Sequence, residues 1–170
     1  MTTTIPANTQ LTNLLPKPFD KALSNTEIDE LTSLSTEQEV WLLPPLVDLC
    51  ARLREPGLQQ HGTLASEGRA ARANGFLHVV IPPDTNPILE NGSLLKGLRE
   101  RALDDGGIHL HILVALTEGL KGEYPSNIAG LKKDGCIAVS YARQPFAIDL
   151  LLLRTLEYAV PFGMIVFFYP

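Results

Sequence analysis

The sequence predicts an α/β protein built on a parallel sheet, and three observations indicate this class. Five short apolar runs start roughly thirty residues apart, which is the length of one βαβ unit. Most of the runs are apolar on both faces, as strands are when helices cover a parallel sheet. Helical patterns lie between them. The predicted strands are Leu46–Cys50, Phe76–Ile81, Ile108–Ala115, Cys136–Ser140 and Met164–Tyr169.

Four helices are predicted between these strands, and each has a chemical reason to end. Glycine follows the first three, and it readily adopts the left-handed conformation that closes a helix. The fourth ends before Pro161, because proline lacks the N–H that would continue the hydrogen bonding. The predicted helices cover about Thr63–Asn74, Ser93–Asp104, Asn127–Asp134 and Phe146–Val160.

Residues 1–40 are predicted to be an irregular N-terminal segment, and residues 41–170 an α/β domain. The segment is rich in Thr, Ser and Asn, and three prolines interrupt any long element. One short helix is predicted within it, because Ser24 and Glu27 have the spacing of a capping box and an apolar stripe follows them. We expect the rest of the segment to be loop.

Composition and charge exclude several classes of protein. Of the 170 residues 45% are hydrophobic and 19% charged, which indicates a packed protein rather than a disordered one. The 14 Lys and Arg residues are scattered and outnumbered by 19 Asp and Glu, which argues against nucleic-acid binding. The apolar runs are shorter than the roughly 20 residues of a membrane-spanning helix, so we expect no membrane partner.

The predicted compartment is the cytoplasm. The chain starts Met1-Thr2-Thr3-Thr4, without the basic and apolar segments of a secretory signal. The two cysteines, Cys50 and Cys136, lie in apolar surroundings and are predicted to be buried free thiols.

In parallel α/β folds the loops after the strands carry the chemistry, and two of these loops have a recognisable pattern. The first reads Asp48-Leu49-Cys50-Ala51-Arg52-Leu53-Arg54-Glu55-Pro56-Gly57, and the second reads Pro83-Asp84-Thr85-Asn86-Pro87. They resemble the Asp-x-His-x-His-x-Arg-Glu/Asp-Pro-Gly and Pro-Asn-Thr-Asn-Pro of the dihydroorotases, a branch of the amidohydrolase superfamily.

Three later segments extend the resemblance over residues 41–170 in unbroken order. They are Ala115–Gly122, Leu131–Cys136 and Leu156–Ala159. The first is similar to the family's Ala-Leu-Thr-Lys-Gly-Leu-Lys-Gly. The resemblance implies a TIM-type (β/α) barrel, of which about five strands are present here.

The resemblance also implies where a zinc site would lie, and this sequence departs from the family there. Cys50 and Arg52 occupy the positions of two zinc-binding histidines, Tyr141 that of a carboxylate ligand, and Tyr169 or Phe168 that of another histidine. A cysteine thiolate can bind zinc, but an arginine cannot lose its proton and would repel a cation. We therefore expect no zinc, no other cofactor and no catalytic residue, because no metal would activate water.

The substrate positions are better preserved. Arg54 and Asn86 match the family residues that hold the carboxylate of dihydroorotate, and an arginine fork suits a planar carboxylate. Two alternatives remain open. Arg54 could brace the loop, and Asn86 before Pro87 could serve the turn alone.

The chain's one His-x-His pattern, His109-Leu110-His111, is interpreted as two partly exposed histidines at a strand entrance rather than a metal motif. It follows Asp105-Gly106-Gly107 at the start of the third strand, opposite the functional loops. His61 and His78 are interpreted as isolated residues.

The loss of the metal histidines between Asp48 and Gly57 resembles a group of non-catalytic family members that associate with aspartate transcarbamoylase in pyrimidine synthesis. The resemblance therefore implies a structural or assembly partner of that enzyme. Two alternatives are a divergent zinc-dependent hydrolase of a cyclic amide and a binding module for small carboxylates.

The length of 170 residues has a further implication once a barrel is expected. A closed eight-stranded barrel typically takes about 250 residues, so the chain looks truncated. Its last predicted strand would leave an open sheet edge, and such an edge requires cover by a partner or by self-association.

Overall fold

The structure, a computed structural model, describes residues 3–5, 29, 40–42, 44–144 and 149–168. The chain divides into two units, Met1–Pro44 and Pro45–Pro170. In the first unit β1 (Thr3–Ile5) pairs antiparallel with β2 (Val40–Leu42). The sequence predicted loop for both strands. The helix predicted from Ser24 and Glu27 lies outside the described residues, apart from Asp29, which is helical.

The second unit alternates strands with helices, as predicted. Its strands are β3 (Leu46–Asp48), β4 (Phe76–Ile81), β5 (His109–Ile112), β6 (Val114–Ala115), β7 (Ala138–Ser140) and β8 (Ile165–Phe167). They form two parallel three-stranded sheets, in the orders β3-β4-β5 and β6-β7-β8. The predicted α/β class and the parallel pairing are confirmed. The described strands do not close into a barrel.

The third predicted strand is divided because its partner changes at Leu113. Up to Ile112 the segment pairs with β4, and the Leu113 N–H still donates to the Ile81 carbonyl at 3.0 Å. Beyond it, the Leu116 N–H donates to the Ser140 carbonyl, and β6 pairs with β7. A run that is apolar throughout gives no sign of such a change of partner.

Four α-helices of this unit are described, and side-chain caps explain where three of them begin. They are α1 (Leu64–Ala73), α2 (Gly92–Gly106), α3 (Ile128–Lys133) and α4 (Asp149–Ala159). The side chains of Thr63, Asn91 and Asn127 accept hydrogen bonds from backbone N–H groups of the first turn of α1, α2 and α3. Short 3₁₀ turns also form at Glu118–Leu120, where a loop was predicted, and at Val160–Phe162, which starts at the last residue of the fourth predicted helix. None of the described helices is long and apolar enough to span a bilayer.

The strands bury different residues on their two faces. Val79 and Ile81 of β4 belong to the principal core with the helices, which also contains Leu64, Leu95 and Val139. Val80 points to the other face and joins Leu113 and Ala138 in a smaller cluster, against which Phe167 packs. Because both faces are apolar, the strands lack the alternating pattern of a sheet that is exposed on one side.

Candidate functional site

The loops after β3 and β4 enclose a cavity of about 240 Å³ at the carboxyl ends of these strands. The chain leaves β3 through a turn in which the Asp48 carboxylate accepts the Cys50 N–H at 2.9 Å. This turn ends the strand earlier than predicted. The lining consists of Ala51, Arg52, Leu53, Arg54, Glu55, Pro56, Leu58, Ile81, Pro82, Asp84, Thr85 and Asn86.

A close backbone contact joins the two loops. Gly57 has a φ of +108°, and a Cβ added to it would lie 2.6 Å from the Asn86 carbonyl oxygen. Only glycine fits such a contact. The Asn86 N–H also points back to the Pro56 carbonyl, at 3.4 Å. The contact therefore brings Arg54 and Asn86, the two predicted substrate residues, to the wall of the same cavity.

Glu55 anchors the first loop to two helices. Its side chain is only 4% exposed. One carboxylate oxygen accepts from the Leu64 N–H at the start of α1, at 2.8 Å, and the other lies 2.6 Å from a guanidinium nitrogen of Arg101 on α2. The sequence did not predict this role, because the two partners of Glu55 lie outside the motif, on helices whose contact with the loop depends on the fold.

Arg52 forms an ion pair across the cavity. A guanidinium nitrogen lies 2.7 Å from an Asp84 carboxylate oxygen, and the two side chains are 37% and 23% exposed. The other Asp84 oxygen is buried and has no hydrogen-bond partner among the described residues. This oxygen keeps the capacity for one further hydrogen bond, although it is shielded from solvent.

Two further positions at which the family holds its zinc ligands, Cys50 and Tyr141, lie among the described residues and have different surroundings. Cys50 is only partly buried, which corrects the prediction of a buried thiol. It lines a second cavity with Arg52 and Arg143. Tyr141 packs in the principal core, where a Cβ on Gly122 would lie 2.5 Å from its hydroxyl oxygen.

Tyr169 lies outside the described residues. Among the residues that are described, no group of three His, Cys, Asp or Glu side chains is arranged to hold a metal ion. Cys50 shares its cavity with two arginines, Arg52 and Arg143, whose fixed positive charges do not suit a zinc ion.

Cys136 lies two residues before β7 and is a buried free thiol, as predicted. Burial raises the pKa of its thiol, while the charge of Arg99 and a hydrogen bond from it act in the opposite direction. The thiol form is therefore favoured, and this cysteine is a packing residue.

The three histidines around β4 and β5 meet on one face of the sheet. His78 Nδ1 lies 3.1 Å from His111 Nε2, and the His109 ring stacks on the His78 ring with centroids 5.0 Å apart. The interpretation of His78 as isolated was wrong. Parallel register places it opposite His109, and a sequence without known strand pairing does not reveal that contact.

Fold and site together define an α/β protein with a binding cavity at the carboxyl ends of parallel strands, the usual place for ligands in this class. Sequence comparison then gives the family. The chain is 38% identical to a dihydroorotase-like protein of Pseudomonas aeruginosa over 125 residues, and 36% identical to one of Pseudomonas putida over 126 residues. It is 33% identical to a dihydroorotase of Geobacter metallireducens over 146 residues.

The aligned part amounts to 74%, 74% and 86% of this chain, but to 30%, 30% and 33% of those relatives. The chain thus spans about a third of the length of the curated relatives that it matches. No protein-family model matches it. The chain belongs to the dihydroorotase-like sequences, which confirms the resemblance inferred from its motifs.

Proposed function

We propose that the chain is a non-catalytic dihydroorotase-like protein of cytoplasmic pyrimidine biosynthesis, and that it acts as a structural partner of aspartate transcarbamoylase. The observation that carries the non-catalytic part is the 2.7 Å ion pair between Arg52 and Asp84. By resemblance, active relatives have a zinc-binding histidine at position 52 and an asparagine at position 84. Both positions differ here, and the two new side chains neutralise each other.

This ion pair fits a protein in which an arginine side chain takes the place of the family's metal cation. A guanidinium stays protonated at any physiological pH, so Arg52 supplies a permanent positive charge where the family has a metal cation. The negative charge of Asp84 balances the positive charge of Arg52, which the neutral asparagine of the family could not do. Arg143 adds a second positive charge to the cavity that Cys50 lines. Zinc-dependent hydrolysis, the catalytic alternative, has no support in this donor set.

The strand order supports the proposal that the fold is part of a (β/α) barrel. Consecutive strands are neighbours within each sheet, and a helix lies between most of them. β5 and β6 are consecutive in the chain, and the Leu113 N–H donates to Ile81 of β4 while the Leu116 N–H donates to Ser140 of β7, so one continuous segment contributes to both sheets. Sequential parallel strands separated by helices are the pattern of this barrel. In such a barrel the cluster around Val80 and Leu113 would face the interior.

The aspartate transcarbamoylase proposal rests on family resemblance and is tested by direct association. We expect the full chain to form a complex with purified aspartate transcarbamoylase of the same organism at micromolar concentrations, seen by light scattering coupled to size-exclusion chromatography. The complex should hydrolyse no dihydroorotate, even with zinc added. Separate elution at every ratio, with no change in the thermal stability of the enzyme, contradicts the partnership. Turnover of dihydroorotate contradicts the non-catalytic assignment.

A second candidate function, binding of a small carboxylate, is favoured by the cavity. Arg54 supplies a cation for the carboxylate, Asn86 lines the same space, and Asp84 offers a buried oxygen without a partner among the described residues. Together they suit a molecule with a carboxylate and an N–H donor, as in dihydroorotate or carbamoyl aspartate.

Isothermal titration calorimetry with dihydroorotate tests this second candidate. We expect the Arg54→Ala substitution to weaken binding by about tenfold or more, since a charged hydrogen bond contributes roughly 1.5–3 kcal/mol. Lys96→Ala removes an exposed cation from α2 and should leave the affinity unchanged. Equal affinities of the wild type and the Arg54 variant, or no heat of binding, would rule out this function.

A further inference from the structure

We propose that His78 and His111 form a binding site for a divalent first-row transition metal ion such as Zn²⁺, with water completing the coordination. This site lies on the sheet face that carries the cluster around Val80 and Leu113, near the strand entrances. It is separate from the loop cavity and from the positions where the family holds zinc. The inference is independent of the proposed function.

The distance between the two rings supports this assignment. Zinc binds histidine nitrogen at roughly 2.0–2.1 Å, so two nitrogens on one tetrahedral ion are roughly 3.3 Å apart. His78 Nδ1 and His111 Nε2 are 3.1 Å apart. An ion therefore needs a change of only a few tenths of an ångström in that separation, together with ring rotations that turn both lone pairs away from the N···N line and toward the ion.

The backbone already holds the two rings close together. Val80 pairs with His111 and His78 with His109 in the parallel register of β4 and β5. Side chains two residues apart share a face of a strand, so His78 and His111 lie diagonally across adjacent strands. Because both rings project from a paired sheet, little chain entropy is lost when a metal joins them.

Metal binding must replace the hydrogen bond between the two facing ring nitrogens. One of the two facing nitrogens carries a hydrogen in the free protein. On metal binding this proton leaves and the other nitrogen of the same ring takes one from solvent, with no net release.

The third histidine and the nearby arginine limit the site to two protein ligands. The His109 ring lies nearly parallel to that of His78, at an interplanar angle of 20°, and so presents its face rather than a nitrogen lone pair. Arg99 adds positive charge near His111, but its guanidinium interacts with the Cys136 sulfur. These features predict an affinity below that of a closed structural zinc site with four protein ligands.

Zinc titration of the full chain tests the proposal by calorimetry at pH 7.5. We expect one Zn²⁺ per chain, with binding weakened by about tenfold or more in His78→Gln and in His111→Gln, because each variant loses a direct ligand. His109→Gln is the matched control from the same strand and face. It should bind as the wild type does, as should Cys50→Ser and His61→Gln.

Nuclear magnetic resonance of the ¹⁵N-histidine-labelled wild type supplies a readout that does not depend on how the variants fold. The chain has four histidines. Zinc should shift the resonances of His78 Nδ1 and His111 Nε2 and leave those of His61 in place. The proposal is overturned if zinc does not bind, or if the His78 and His111 variants bind it as well as the wild type. A loss in His109→Gln as large as in His78→Gln, or shifts confined to His61, would also overturn it.

Discussion

Replacing Glu55 with alanine should lower the free energy of unfolding by about 2–3 kcal/mol. The carboxylate is buried, accepts a hydrogen bond from the Leu64 N–H and forms an ion pair with the Arg101 guanidinium. Its removal leaves the first N–H of α1 without that partner and opens a small void beside the loop. Arg101 is about half exposed, so water solvates it in the variant, and the loss stays below that of a fully buried ion pair.

Urea denaturation monitored by circular dichroism measures this loss. The comparison holds when the wild type and the variant have the same slope of unfolding free energy against urea concentration. Glu100→Ala is the matched control, because Glu100 is exposed and lies 3.8 Å from Lys96 one turn away. An exposed pair of this kind contributes less than about 1 kcal/mol. Equal stability of the two variants would mean that Glu55 does not hold the loop to the helices.

Glu55→Gln separates charge from shape at the same position. Glutamine can still accept the Leu64 N–H through its amide oxygen, but it loses the ion pair with Arg101. We expect this variant to lie between the wild type and Glu55→Ala. Glu55 stands between Arg54 and Pro56 in the cavity wall. The alanine variant should therefore also lower the affinity of the cavity for any ligand that binds there.

The parts of this fold that the sequence predicts correctly depend on short-range chemistry. The capping residues Thr63 and Asn91 act within a few residues of themselves. Apolar runs identify strands because each strand is buried on both faces, whatever its neighbours. The helices and strands of residues 46–168 could therefore be placed to within a few residues, and the resemblance placed Arg54 and Asn86 together before their shared cavity was known.

The parts that the sequence does not predict depend on contacts between distant residues. Arg52 and Asp84 are 32 positions apart, and His78 and His111 are 33 apart. Each residue alone has an ordinary explanation, as a loop arginine, a turn aspartate or a packed histidine. Their chemistry becomes visible only when the register of β3, β4 and β5 is known. The change of strand partner at Leu113 is hidden for the same reason.

The second large effect is expected at the crossing of α1 and α2, where two glycines let the helix backbones touch. A Cβ added to Gly68 would lie 2.7 Å from the Gly106 Cα, and one added to Gly106 would lie 2.6 Å from the Leu64 carbonyl oxygen. Backbone atoms cannot rotate away as a side chain can. Gly68→Ala should therefore force the helices apart and lower the free energy of unfolding by about 1–3 kcal/mol.

The higher helix propensity of alanine opposes this loss of stability. A substitution at a second glycine shows the size of that opposing contribution. Gly97 lies within α2 and has no atom within 4 Å of an added Cβ. Gly97→Ala should therefore raise the free energy of unfolding by about 0.5–1 kcal/mol, the ordinary gain from glycine to alanine in a helix. Glycine to alanine should thus change the free energy of unfolding in opposite directions at these two helical sites. Urea denaturation of both variants measures the two changes. If Gly68→Ala stabilises the protein as Gly97→Ala does, the two helices do not touch at their glycines, and the position of α1 against α2 is wrong.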